Sequence, residues 1–125
     1  MSELVLDTGA LVALERSNRR VALRIRQALT AGDRVVISAG CVAQAWRDGG
    51  TQVGLAKLLK EHTTKVEPLD TTAARQIGRL LARSGTADIV DGHVALVALQ
   101  TGGTVLTSDP DDIRRLAPTA SVIRV

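Results

Sequence analysis

Short apolar runs alternate along this chain with longer segments whose apolar residues recur at helical spacing. Glu3–Leu6 (ELVL), Arg34–Ser38 (RVVIS) and Thr104–Thr107 (TVLT) are too short for helices and read as strands. Val66–Leu69 (VEPL) reads as a short edge strand, where proline is tolerated. Ser121–Arg124 closes the chain as a last strand. Between these runs the pattern predicts helices: a short one from Thr8 to about Leu14, and an amphipathic one over Asn18–Leu29 with Val21, Leu23, Ile25, Ala28 and Leu29 as its apolar residues. Others follow from Ala39 to about Arg47 and over Gln52–His62, and another from an Asp70 cap to near Ser84-Gly85. The last opens at Asp109-Pro110 and runs to about Leu116.

The stretch Thr86–Asp112 organises the rest. Its helix, running to about Gln100, is apolar or small at nearly every position except Asp88, Asp91 and His93, as expected of a helix buried between other elements. Asp88 and Asp91 are three apart and share a face. Thr101-Gly102-Gly103 stops the helix, and the strand Thr104–Thr107 follows at once. So short a connection makes helix and strand antiparallel, which sets the helix N-terminus beside the strand's C-terminal end, next to Asp109.

Alternation of strands and helices predicts an α/β fold with a parallel sheet and helices on both faces. Ligands of such sheets bind outside the carboxyl ends of the strands. Asp7 ends the first strand and Asp109 a later one, so Asp7, Asp88, Asp91 and Asp109 are expected on one rim. Each has a plain alternative role as a helix cap or first-turn acid. Together they repel, by roughly 1–4 kcal/mol per pair at about 4 Å, and a cation would offset that. Hard divalent ions take oxygen ligands, and Mg²⁺ uses one or two carboxylates plus waters and substrate phosphate. Such a site can activate water and steady the leaving oxygen of a phosphodiester. His62 and His93 are too far apart for a local zinc pair, and His93 faces away from Asp91 as a structural residue.

Composition narrows the setting. A 125-residue chain that is 45% hydrophobic suits one domain over residues 1–125 with a proper core. With no Phe or Tyr and only Trp46, base stacking is an improbable route to nucleic acid, and Trp46 reads as a core or interface anchor. The lone Cys41 reads as a small buried hydrophobe, consistent with a reducing compartment. No apolar run approaches the roughly 20 residues of a membrane span, and the N-terminus lacks a signal-peptide pattern, so no membrane partner and a cytoplasmic location are expected. The mild net charge of +3 comes mainly from arginine, which suits phosphate. Arg75, Arg79 and Arg83 form a stripe that is either a solvated helix face or an anion-binding one.

The segments LVLDTGALVAL, ISAGCVAQAWRDG, ADIVDGHVALVAL and VLTSDPDDI, in that order over essentially the whole chain, resemble a PIN domain, specifically the bacterial VapC-type toxin ribonucleases. The resemblance implies a PIN-like three-layer α/β/α fold with a central, mostly parallel sheet of four to five short strands. It implies an endoribonuclease dependent on Mg²⁺ or Mn²⁺ that cuts RNA such as tRNA or rRNA. It also implies a homodimer and a cognate antitoxin partner. Carried over by position, Asp7, Asp91 and Asp109 match the family's metal-binding acids, and Asp88 matches an extra acid before the third. Thr8 and Thr107 match hydroxyl positions, and Asp112 is a supporting acid. Arg47, with the stripe at Arg75, Arg79 and Arg83, is the candidate RNA contact. One departure stands out: Gln44 occupies the place of a family glutamate, keeping an oxygen but losing the charge. A weak or inactive module that binds RNA or antitoxin is therefore the alternative.

Two other classes are set aside. Asp7-Thr8-Gly9-Ala10 spells the DTGA of retroviral-type aspartic proteases, yet those resemble all-β dimers, and this chain is rich in helical patterns. A receiver-like signalling domain would need two acids near the first strand and a lysine after a late one, and neither is present.

Overall fold

The computed structural model describes residues 2–125. Five strands, β1 (Glu3–Leu6), β2 (Arg34–Ser38), β3 (Thr64–Glu67), β4 (Thr104–Thr107) and β5 (Ser121–Arg124), form one sheet in the order β3-β2-β1-β4-β5. Every pairing is parallel, so the expectation of a mostly parallel sheet becomes an all-parallel one. Parallel strands need crossovers, and helices supply each of them. These are α1 (Thr8–Glu15), α2 (Arg19–Thr30), α3 (Ala39–Ala45), α4 (Val53–Lys60), α5 (Thr71–Ser84), α6 (Ile89–Thr101) and α7 (Pro110–Leu116).

The central strands explain their own position. Leu4, Val5 and Leu6 of β1, with Val35, Val36 and Ile37 of β2, are buried on both faces, as a sheet covered by helices on each side demands. The main core joins these to Leu11 of α1, Val21 and Ile25 of α2 and Leu55 of α4, and to Val94 and Val97 of α6. A second cluster, Ile77, Leu80, Ala95, Leu96 and Leu116, lies between α5, α6 and α7. Helix α6 therefore packs against the sheet and against two helices, and Gly92 through Ala98 are buried without a break. That is why its sequence shows no polar face.

Local signals fix the helix ends. Asn18 and Asp70 cap α2 and α5 through side-chain oxygens that accept the amides of Val21 (3.1 Å) and Ala73 (2.9 Å). Gly85 and Gly102 close α5 and α6 at φ of 70° and 68°, a left-handed conformation that glycine adopts without strain. Helices α5 and α6 run antiparallel, with Gln76 near one end meeting Gln100 near the other.

Three expectations need correction. The edge strand is Thr64–Glu67 and not Val66–Leu69, because its ladder to β2 ends at the Ser38–Glu67 pair and Pro68 has no N–H to continue it. Helix α3 stops at Ala45, leaving Trp46 extended at its C-cap and Arg47 beyond it. Leu23, although apolar, is 57% exposed on α2 and does not face the core. Among the described residues, no helix is long and apolar enough to cross a membrane.

Close backbone approach makes one glycine critical. A Cβ on Gly103, just before β4, would lie 2.6 Å from the Glu3 carbonyl oxygen of β1, whereas one on Gly78 of α5 would meet open space. Gly103→Ala is expected to cost about 1–3 kcal/mol by forcing the two strands apart. Gly78→Ala should stabilise by about 0.5–1 kcal/mol through helix propensity. Urea unfolding of both variants checks the pair; equal and opposite-to-expected midpoint shifts would contradict the register.

Candidate metal centre

The sheet order places a topological switch point between β1 and β4: from β1 the chain moves to β2 on one side, and β4 lies on the other. Asp7 follows β1 directly, and its amide still donates to Leu106 of β4 at 3.1 Å. Ser108 and Asp109 follow β4 directly. The antiparallel α6 brings Asp88 and Asp91 to the same end. The result is a cavity of about 690 Å³ lined by Asp7, Asp88, Asp91, Asp109 and Asp112, with Thr8, Gln44 and Ser108 among its other polar walls.

The acids differ in their constraints. Asp7 is buried, at 6% exposure, and caps α1, its Oδ1 accepting the Ala10 amide at 3.0 Å. Burial pushes its carboxyl above the usual aspartate range. The Thr107 hydroxyl and the Ala10 and Gly9 amides pull it down, while the charge of Asp109 pushes it up. Asp88 caps α6 through Oδ1, which accepts the Asp91 amide at 3.0 Å. It stands just outside the helix and not within its first turn. Asp109 occupies the N-cap position of α7 but makes no side-chain cap bond there, so its carboxylate is not committed to the helix. Its own amide donates to Thr107 Oγ1 at 2.9 Å, which ties the hydroxyl between the two acids.

Asp91 carries the electrostatic strain. Desolvation, followed by the charges of Asp88, Asp112, Asp109 and Asp7, raises its pKa from 3.8 to about 6. Four other carboxylates thus act on one, and the five acids come from three separate stretches of chain. The N-termini of α1, α6 and α7 meet at the same place and offset part of the repulsion with their positive dipole ends.

Among the other expected residues, Gln44 lies on the cavity wall, and its Oε1 accepts the Thr8 hydroxyl at 2.6 Å. Thr107 is fully buried beneath the acids. Arg47, Arg75, Arg79 and Arg83 do not line the cavity. Arg47 spends its guanidinium on the carbonyls of Ala43 and Trp46. The stripe on α5 is solvent-exposed. Trp46 is partly exposed and not a core residue, and its ring lies against Gly49. Cys41 is buried in the cavity wall, where desolvation raises its thiol pKa, and His93 is buried with Nδ1 unpartnered and does not line the cavity.

Three polar lining residues escaped the sequence reading: Arg16, Asn18 and Ser108. A signal for Arg16 existed. Gly9, Val12, Ala13 and Arg16 recur at helical spacing, and all four line the cavity along one face of α1.

The donor set suits a hard divalent cation. All its charged groups except Arg16 are carboxylates, with amide and hydroxyl oxygens beside them. Among the described residues, no three His, Cys, Asp or Glu side chains converge tightly enough to enclose an ion alone.

Comparison with known proteins agrees with this fold. The sequence matches the PIN domain over residues 4–118. The fold is similar to that in a crystal structure of VapBC2 from Rickettsia felis bound to a DNA fragment from their promoter, with a TM-score of 0.67 and 14% identity, covering 98% of each chain. It is also similar to FitAB bound to an IR36 DNA fragment, with a TM-score of 0.67 and 18% identity over 97% of this chain and 94% of that one. FitAcB from Neisseria gonorrhoeae gives a TM-score of 0.64 and 21% identity over 96% of both. No curated protein matches in sequence.

The raised pKa of Asp91 makes a stability prediction. Between pH 3.8 and about 6 the folded state holds a proton that the unfolded state has lost, so this residue's contribution to stability falls as pH rises through that window. A shift of that size corresponds to about 3 kcal/mol, reduced to roughly 1–2 kcal/mol because the group is partly exposed and screened. Asp91→Asn in EDTA should therefore be more stable than wild type at pH 7.5 by that amount, with the gap closing towards pH 4. Urea unfolding across the range checks it, and a pH-independent gap would contradict the charge crowding.

Proposed function

The chain belongs to the PIN domain family, and from that premise we propose that it is a metal-dependent endoribonuclease, the toxin of a toxin–antitoxin pair. The observation that carries the reading is the convergence of Asp7, Asp88, Asp91 and Asp109 at the switch point of a parallel sheet, beside a cavity open enough for a nucleic-acid strand.

Asp7, Asp91 and Asp109 would hold Mg²⁺ or Mn²⁺, with Asp88 and Asp112 adding charge around it. The ion supplies Lewis-acid polarisation of a phosphate oxygen and a more acidic bound water. This chain's residues do the rest. Asp7 is locked by the Ala10 amide, and the Asp109 amide donates to the Thr107 hydroxyl, which holds the backbone of Asp109 while its carboxylate stays uncommitted to the helix. Asp91, whose carboxyl is raised to about 6 without an ion, must lose its proton to hold one, so binding of the ion weakens below that pH.

Similarity in fold to VapBC2 and FitAB supports an antitoxin as partner. RNA as substrate, a homodimer and a cytoplasmic setting complete the reading. Phosphate-led recognition suits a chain whose only aromatic residue is Trp46. Arg47 and the stripe Arg75, Arg79 and Arg83 would serve it outside the cavity.

One observation favours a second reading, a catalytically weak binding module. Gln44 is neutral and its Oε1 is already engaged by Thr8, so it offers an ion little. On the nuclease reading, wild type cleaves RNA with Mg²⁺ or Mn²⁺, and the metal concentration needed for half-maximal rate rises as pH falls below about 6, where Asp91 without an ion holds a proton. Asp7→Asn or Asp91→Asn should lower the rate at least about 100-fold, as loss of a main charge-stabilising group does. Gln44→Glu should raise Mg²⁺-supported activity about tenfold, since a nearby charge is worth ~1–4 kcal/mol. Gel assays of single-turnover cleavage check all three. Absent cleavage in wild type with recovery in Gln44→Glu would establish the binding module.

A further inference from the structure

Arg16 is the one cation lining the acidic cavity among the described residues. Facing Asp7, Asp88, Asp91, Asp109 and Asp112, it would be expected to pair with one of them. It does not: among the described residues no carboxylate lies within 4.0 Å of it, and its side chain makes no hydrogen bond. Its backbone, by contrast, is firmly held. The Arg16 amide donates to Val12 at 3.0 Å, that of Ser17 to Leu14 at 3.1 Å, and that of Asn18 to Ala13 at 2.9 Å. Ser17 adopts a left-handed φ of 61°, which turns the chain sharply from α1 into α2, and Asn18 caps α2. A rigid elbow thus presents an unpaired guanidinium over a pocket of opposite charge.

The spacing says what that guanidinium can reach. Nine residues separate Asp7 from Arg16, about 13 Å along the α1 axis at 1.5 Å per residue. Helical side chains lean toward the N-terminus, so Arg16 leans back along the strip Gly9, Val12 and Ala13 toward the acids. That strip offers small or apolar walls and no competing charge. A ligand spanning the two ends must carry a group fit for a cation at the acids and a second anionic group several ångströms away for Arg16.

We propose that Arg16 is a substrate-positioning residue that binds a backbone phosphate flanking the one at the acids, so that a single strand of RNA lies along the α1 face of the cavity. Guanidinium forks match phosphate oxygens bidentately. The inference rests on the nuclease reading for the identity of the polymer, but concerns binding and not chemistry.

The test uses the full chain carrying Asp7→Asn, so that RNA is bound without being cut, and a fluorescein-labelled, mixed-sequence single-stranded oligoribonucleotide. Adding Arg16→Ala should weaken binding about tenfold and flatten the slope of log K against log salt by about 0.7, the loss of one phosphate contact on a single strand. Arg16→Lys should keep the slope, and the melting temperature of Arg16→Ala should match its parent, since the side chain makes no bond to the protein. A methylphosphonate placed at the flanking position should weaken the parent but add no loss to Arg16→Ala. An unchanged salt slope, or independent losses from methylphosphonate and Arg16→Ala, would overturn the assignment. If wild type cleaves RNA yet Arg16→Ala leaves the slope unchanged, the positioning role fails while the nuclease reading stands. An Arg16-dependent slope with no cleavage under either metal removes the nuclease and keeps the contact.

Discussion

Mutual repulsion among carboxylates is the constraint around which this molecule is built. Left to solution, Asp7, Asp88, Asp91, Asp109 and Asp112 would separate; in the fold, burial first and then the charges of the other four push the Asp91 carboxyl up. What holds them is the register of the parallel sheet. β1 pairs with β4 through Leu6 and Leu106, so the residues that follow each strand have nowhere else to emerge. Hydrophobic burial along both faces of these strands supplies the driving force. The acids are a local cost of that arrangement, eased by backbone amides and by helix N-termini, and a divalent ion would remove most of the remainder.

Helix α6 transmits the core's order to the site. Its buried run from Gly92 to Ala98 begins one residue after Asp91, so the orientation of that carboxylate is set by packing on several sides. Gly92 shows how tight the fit is: a Cβ there would lie 2.8 Å from Ile77 of α5. The cavity end of the molecule is thus well anchored on the α6 side. On the α1 side the anchoring is by hydrogen bonds, through the Asp7 cap and the elbow at Arg16–Asn18.

The two walls differ in charge. Acids from β1, β4 and α6 form the negative end, suited to a cation, while Arg16 closes the far end with a positive charge. Gln44 sits between as a neutral group bonded to Thr8. Replacing a carboxylate by an amide at that wall lessens the crowding on Asp91 and Asp7, and it lessens the field that attracts an ion. The same substitution therefore trades electrostatic relief in the empty protein against hold on the metal.

The sequence by itself determined the α/β class, most element boundaries to within a few residues, and the convergence of Asp7, Asp88, Asp91 and Asp109, because these follow from local rules. Periodicity, caps at Asn18 and Asp70, and glycine stops at Gly85 and Gly102 are written in neighbouring residues. The short link between α6 and β4 turned local signals into a statement about place. Tertiary structure alone decided the rest. The end of β3 depended on which residue of β2 it met, and the exposure of Leu23 and Trp46 on what packed over them. The bond between Gln44 and Thr8 joins residues 36 apart, and Arg47 turned to its own backbone. Arg16 had the spacing to be noticed, but its lack of a partner is a property of the surrounding space, and no one-dimensional pattern records the distance between side chains that the fold brings face to face.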